Sequence, residues 1–260
     1  MNLINIIAGF GVGAAIGITG VGGGSLMTPV LVLLFGFAPA TAVGTDLWFA
    51  AVTKIVGGSL HHHHRSVDWQ VFRRLSLGSI PAALVTLTWM YLTGANQNRQ
   101  GFIVHLLGGV LLVTSIAMLA RTKIQAFARR LRTDTPREFK TVQPVLTVLA
   151  GVLLGVLVSL TSVGAGALGT VMLLYLYPLR MTPTRLVGTD IVHAIPLAII
   201  AGTGHLIMGD VDLQLLKNLV IGSVPGVVIG TLVARRLPET VARGAIALVL
   251  IFVSIKLLWS

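Results

Sequence analysis

The chain has 260 residues, of which 55% are hydrophobic and 10% charged, and its mean hydropathy is +0.91. Soluble domains carry roughly 25% charged residues, so this composition cannot clothe a water-facing globule and excludes a soluble protein; the chain reads as an integral membrane protein. The net charge of +11 is no nucleic-acid footprint, because Lys and Arg of membrane chains gather in cytoplasmic loops, and the absence of Cys excludes disulfides, thiolate zinc sites and Cys nucleophiles.

A membrane helix needs about 20 apolar residues. In chain order, candidate spans lie near 2–18, 25–36, 43–60, 75–93, 101–120, 144–160, 167–179, 187–207, 215–234 and 241–259. Residues 1–18 lack the basic flank of a signal peptide, and a similar segment recurs at 145–160. Segment 25–36 covers only about 18 Å as a helix, so it is expected to begin inside the membrane. The one long polar stretch, 121–143, holds Arg121, Lys123, Arg129, Arg130, Arg132, Arg137 and Lys140. With that stretch cytoplasmic, ten crossings bring Arg65, Arg73, Arg74, Arg180, Arg185, Arg235 and Arg236 to the same side, and leave both termini periplasmic. Eight crossings, with 25–36 and 167–179 re-entrant, would scatter these charges, so ten are preferred.

An internal duplication organises the chain. Gly44-Thr45-Asp46 and Gly188-Thr189-Asp190 are 188 − 44 = 144 residues apart, and the same offset pairs Pro39 with Pro183, His61 with His205, and Val67-Asp68 with Val211-Asp212. It continues through Gly78-Ser79 with Gly222-Ser223 and Pro81 with Pro225. Five spans per copy is an odd number, which requires opposite orientations, the inverted-repeat plan common in transporters. The expected fold is therefore all-α and polytopic: a first repeat over 1–120, a basic cytoplasmic linker over 121–143, and a second, inverted repeat over 144–260.

The chemistry concentrates in few places. Two Gly-rich breaks, Gly20-Val21-Gly22-Gly23-Gly24-Ser25 and Ser162-Val163-Gly164-Ala165-Gly166, are each followed by a short apolar segment. A helix restarting after the first break has Ser25 or Thr28 as candidate N-cap and Pro29 in its first turn, and its free N–H groups suit an anion. Close helix packing through small residues, as at Gly13 and Gly17, is the competing reading. Lys54, mid-span with Ala198 as its repeat mate, costs roughly 2.5–3.5 kcal/mol to insert, so it needs either a partner, an anion, or a route to the interface. Asp46 and Asp190 fall at the starts of equivalent spans, where they or Thr45 and Thr189 would cap helices; proton carriage is the alternative. His193 shares a helical face with Asp190, and Pro196 frees a carbonyl nearby. The run His61-His62-His63-His64 invites a metal reading, but consecutive imidazoles cannot all reach one ion, and an ordinary loop or helix end is favoured. Neither a His-Glu-xx-His zinc-protease motif nor a Gly-x-Ser-x-Gly elbow is present, so enzyme activity has no positive support.

Gly17-Ile18-Thr19-Gly20-Val21-Gly22-Gly23-Gly24-Ser25 with Thr28-Pro29, Ala42-Val43-Gly44-Thr45-Asp46, the stretch from His61 to Trp69, and the second copy of each together resemble the TauE/SafE family of sulfur-anion membrane carriers. The second copy departs from the pattern, with Ala165 where the first has Gly23 and Val171 where it has Pro29. The resemblance implies a multi-pass bacterial inner-membrane transporter of sulfite, thiosulfate or organosulfonates. The expected function is export of such an anion, coupled to protons, with no cofactor, no resident metal, no nucleic-acid partner, and a bilayer and a homo-oligomer as compatible partners. Substrate contacts are expected from Gly22, Gly23, Gly24, Ser25, Thr28, Lys54, Ser162, Gly164, Gly166 and His193, and proton coupling from Asp46, Asp190 or His193. The rival readings are a transition-metal carrier using the histidines and a non-transporting membrane scaffold.

Overall fold

The computed structural model describes residues 2–19, 24–62, 67–94, 97–134, 136–234 and 239–259. They form ten helices, with no strand among the described residues: α1 Leu3–Thr19, α2 Gly24–Leu33, α3 Pro39–His62, α4 Trp69–Thr93, α5 Gln97–Asp134, α6 Pro136–Thr161, α7 Ala167–Leu176, α8 Pro183–Ile207, α9 Leu213–Ala234 and α10 Glu239–Leu258. Each expected span has its helix. Five of the ten are both long and apolar enough to cross a membrane: those of α4, α5, α6, α8 and α9. Their outward residues, among them Leu84, Val85, Leu92, Val113 and Val228, are large, apolar and exposed, which suits hydrocarbon as the surrounding solvent.

The polar stretch 121–143 is helical wherever it is described: α5 carries it as far as Asp134, and α6 takes it up from Pro136. At 1.5 Å per residue the 38 residues of α5 reach about 57 Å, well beyond the roughly 30 Å of a hydrocarbon core. At the other extreme, α2 and α7 have 10 residues each, about 15 Å or half that core.

Small residues decide which helices touch. Along α1, Gly9, Gly13 and Gly17 lie against the α9 backbone at Leu219, Ser223 and Val227, in that order. From α9, Gly222, Gly226 and Gly230 lie against Ile6, Phe10 and Ala14. The two helices therefore run parallel, backbone to backbone, and the packing role weighed for Gly13 and Gly17 is the one they fill. The repeat-related pair behaves alike: Gly151 and Gly155 of α6 meet Leu75 and Ser79 of α4, also in ascending order. In contrast, Gly44 of α3 faces His205 and Asp210 at the end of α8, Trp48 faces Gly202, and the backbone N–H of Asp68, past the end of α3, bonds Thr189 near the start of α8. Helices α3 and α8 thus cross the centre antiparallel.

Candidate functional site

The central helices begin one turn earlier than their hydropathy suggests. Pro39 opens α3, and Pro183 opens α8 behind Thr182, whose hydroxyl accepts the Arg185 N–H. Proline is well placed at a first helical position because its missing N–H would be unpaired there anyway. Consequently Asp46 and Asp190 are not at helix starts but within the second turn, both buried, and neither caps its own helix.

Instead Asp46 reaches across to α2, its Oδ2 accepting from the Thr28 hydroxyl at 2.5 Å and the Thr28 backbone N–H at 3.2 Å. Thr28 is the fifth residue of α2 rather than its N-cap, and Pro29 lies in the second turn rather than the first, because the helix already starts at Gly24. Asp190 holds the corresponding place on α7: a Cβ on Gly169 would lie 2.7 Å from its Oδ1, so the missing side chain lets the carboxylate approach the short helix.

The threonines of the two Gly-Thr-Asp triplets do not cap their own helices either. Thr189 Oγ1 accepts the backbone N–H of Asp68 at 2.9 Å, and Thr45 Oγ1 accepts that of Asp212 at 3.1 Å. Both aspartates then cap the next helices, Asp68 through the Val71 N–H and Asp212 through the Leu215 N–H. Each triplet therefore fastens a helix start of the other copy, through reciprocal bonds between equivalent residues.

Lys54 comes to the middle of this arrangement. It is buried, and its ammonium donates to the Ala165 carbonyl of the second Gly-rich break at 2.6 Å. Asp190 and, more weakly, Asp46 attract its charge, and His193 feels it as well. The second break is bent by Ser162 at φ 59°, Gly164 at φ 127° and Gly166 at φ 155°. Ser162 is the one residue with a Cβ among these, and it sits in a left-handed region that such residues visit rarely. Its hydroxyl faces Asp46 without closing a hydrogen bond. Gly166 then precedes α7 with no side chain capping the helix, so a partial positive charge and N–H groups remain at that end.

The buried ring of His193 pairs through Nε2 with Ser79 Oγ of α4 at 2.9 Å. Its Nδ1, Asp46 Oδ1 and Ser162 Oγ are buried with no hydrogen-bond partner among the described atoms. An unpaired buried polar atom costs about 1–3 kcal/mol; here three belong to residues around one lysine. Lys54, Asp46, Asp190, His193, Ser162 and Thr28 are thus brought together. Gly164 and Gly166 shape the second break, and Gly24 and Ser25 open α2. Gly22 and Gly23 lie outside the described residues, as do His63 and His64. Among the described residues no group of three or more His, Cys, Asp or Glu is arranged to hold a metal.

Sequence reasoning overlooked Ser79, Thr45 and Thr189 as cross-copy partners, and the pair Asp68–Arg180. The repetition of Ser79 as Ser223 and of Asp68 as Asp212 was a signal for these positions, but repetition says nothing about which residue meets which.

A family model for the sulfite exporter TauE/SafE family matches residues 5–257. The chain belongs to the TauE/SafE family. Within curated TauE/SafE-like relatives, it is 36% identical to "Probable membrane transporter protein YjnA" of Bacillus subtilis over 263 residues, covering 99% of this chain and 100% of the relative. It is 26% identical to "Probable membrane transporter protein YdhB" of the same organism, over 95% of this chain and 96% of the relative. A third, "Probable membrane transporter protein MJ0441" of Methanocaldococcus jannaschii, is 26% identical over 76% of this chain and 69% of its own length. No solved structure matches. This TauE/SafE chain is a multi-pass membrane transporter, and the names of its relatives state membrane transport without a cargo.

Proposed function

We propose that the protein is a secondary carrier that exports a small sulfur-containing anion, such as sulfite, thiosulfate or an organosulfonate, in a proton-coupled cycle, without a catalytic step. The observation that carries this reading is Lys54. A buried ammonium whose hydrogen bond goes to a carbonyl, beside a helix N-terminus without a side-chain cap, offers an anion both charge and N–H donors. The substrate would bind between the two breaks, against Lys54, Ser162 and the starts of α7 and α2.

The charges beside Lys54 support proton coupling. One ammonium lies within electrostatic reach of two carboxylates, Asp46 and Asp190; with both ionised the cluster carries a net negative charge and repels an anion. A proton on one of them, or on His193, removes that repulsion, so anion and proton load together. In proteoliposomes, a pH gradient is expected to accelerate flux of at least one of sulfite, thiosulfate, taurine and sulfoacetate above protein-free controls. If none of the four moves, this carrier reading falls.

We place the carrier in the bacterial inner membrane as two inverted repeats, 1–120 and 144–260, joined on the cytoplasmic side through 121–143. The antiparallel α3 and α8 support ten crossings over eight. If α2 and α7 were re-entrant and did not count as crossings, α3 and α8 would point the same way. The reciprocal Thr45–Asp212 and Thr189–Asp68 bonds have the form expected of a two-fold between copies. A reporter fused after Ser260 is expected to read as periplasmic; cytoplasmic activity would overturn the orientation.

A further inference from the structure

Hydroxyls inside these helices mostly turn back on their own backbone. Thr86 donates to the Ala82 carbonyl, Ser115 to that of Leu112 and Thr203 to that of Ile199. Ser79 of α4 does otherwise. It is fully buried, and its Oγ pairs with His193 Nε2 of α8 at 2.9 Å. Its repeat mate Ser223 shows what the imidazole changes. The residue equivalent to His193 is there Phe49, which has no ring nitrogen, and the Ser223 hydroxyl donates to the Val220 carbonyl of its own helix at 3.2 Å.

A serine hydroxyl and a neutral imidazole can share one hydrogen in two ways, and the groups left over decide between them. If Nε2 held the hydrogen, Ser79 Oγ would accept it. The hydroxyl hydrogen of Ser79 would then have no acceptor among the described residues, and Nδ1, which has no partner, would be a bare acceptor. If Ser79 donates instead, its hydrogen and the Nε2 lone pair satisfy each other. One group is then left rather than two: the N–H of Nδ1. Buried polar groups without partners are costly, so the second arrangement is favoured.

We infer that Ser79 is a positioning residue of the anion site: its hydroxyl donates to His193 Nε2 and so fixes the tautomer whose Nδ1–H donates to the transported oxyanion. The inference rests on the reading that such an anion binds beside Lys54. Ser79 is itself held firmly. The α6 backbone lies against it at two glycines: a Cβ on Gly155 would overlap the Ser79 carbonyl oxygen, and one on Gly151 would lie 3.1 Å from the Ser79 nitrogen. The ring that Ser79 orients belongs to the Lys54 cluster, whose ammonium acts on both His193 and Asp190. With Nδ1 as a donor, that cluster offers a ligand the Lys54 ammonium, the His193 N–H and the hydroxyl of Ser162, which is also buried without a partner. Sulfur oxyanions carry several acceptor oxygens, so a set of donors with one positive charge suits them. Ser223 has no such part, because Phe49 gives it nothing to orient.

The test is nitrogen NMR of the full-length protein at neutral pH, labelled at the histidine rings and reconstituted in lipid, followed by calorimetry with sulfite as the probe. His193→Asn and His193→Gln assign the His193 signals by difference. Before any sulfite is added, the expected wild-type ring has a bare Nε2 and a hydrogen on Nδ1, and Ser79→Ala is expected to admit the form with its hydrogen on Nε2. A hydrogen on Nε2 in the wild type, alone or together with one on Nδ1, would overturn the inference. So would a Ser79→Ala ring that matches the wild type; the wild-type spectrum decides the matter by itself where that variant does not fold. In the calorimetry, His193→Asn sets its amide near the place of Nδ1, and His193→Gln sets it near Nε2. The first is expected to bind sulfite within about 3-fold of the wild type and the second to lose about 10-fold, the scale of one hydrogen bond to a charged group. Equal affinities for the two variants, with sulfite bound by the wild type, would also sink the inference. The tautomer is read with no anion present, so a wild type that binds no sulfite counts against the sulfite-carrier reading, and a wrong tautomer counts against this one.

Discussion

Lys54→Ala is expected to weaken sulfur-anion binding by about 100-fold, the scale on which truncating one member of a buried charge pair is felt, while leaving the protein folded. The two halves of this expectation have different physical origins. The ammonium is the positive side chain beside Asp46, Asp190 and His193, so an anion bound there loses its counter-charge when the side chain is cut back. For the fold, two opposing terms meet at this side chain. A lysine in mid-membrane costs roughly 2.5–3.5 kcal/mol on insertion scales, and its hydrogen bond to the Ala165 carbonyl offsets only part of that. Removing it also leaves the buried Asp46 and Asp190 without their counter-charge, a loss of similar size, so the thermal unfolding temperature is expected to stay close to that of the wild type. Calorimetry with the anion identified by flux measures the first effect, and unfolding in detergent the second. Unchanged affinity in a folded variant would remove Lys54 from the binding site.

Gly222→Ala is expected to cost about 3 kcal/mol or more, at or above the upper end of ordinary overpacking, and to separate α9 from α1. An added Cβ would overlap the Ile6 carbonyl oxygen and lie 2.8 Å from the Phe10 nitrogen. Both obstacles are backbone atoms of a hydrogen-bonded helix, so no rotamer change relieves them; the whole helix has to move. Gly109→Ala is the matched control. Nothing lies within 4 Å of its Cβ, and alanine is the better helix former by about 1 kcal/mol. Thermal unfolding of the pair in detergent is expected to fall for Gly222→Ala and to stay level or rise for Gly109→Ala. Equal behaviour would mean that the α1–α9 contact does not hold the bundle together.

Both effects fall at positions visible in the chain before any coordinates, yet they were visible to different degrees. Lys54 stands out because charge inside an apolar span is costly and therefore conspicuous. Gly222 stands out only as the repeat mate of Gly78, and nothing in either triplet of neighbours names Ile6 as the surface it meets. The same gap separates Asp46 from Thr28. Hydropathy marks where apolar residues begin, at 43 and 187, but helices begin where their first turn is satisfied, at Pro39 and Pro183. The four-residue difference moved both aspartates from helix ends to helix interiors, and their partners from their own backbone to that of α2 and α7. The Thr182-Pro183 pair was a readable start signal; the reach of Asp46 to Thr28 was not.

The unpaired atoms of the site were also beyond sequence reasoning. That Ser162 would adopt φ 59° and come near Asp46, or that His193 would spend Nε2 on Ser79, depends on side chains from α3, α4, α8 and the second break meeting in space.

Composition, hydropathy and the 144-residue offset by themselves determined a polytopic helical membrane protein built twice over, with one lysine, two aspartates and a histidine left inside the apolar spans. These are properties of solvent preference and of repetition, and both are written along the chain. Which copy fastens which, and which buried groups meet, was decided only by tertiary structure. A hydrogen bond depends on angstroms between atoms more than a hundred residues apart, as Asp68 and Thr189 are, and sequence spacing has no access to that distance.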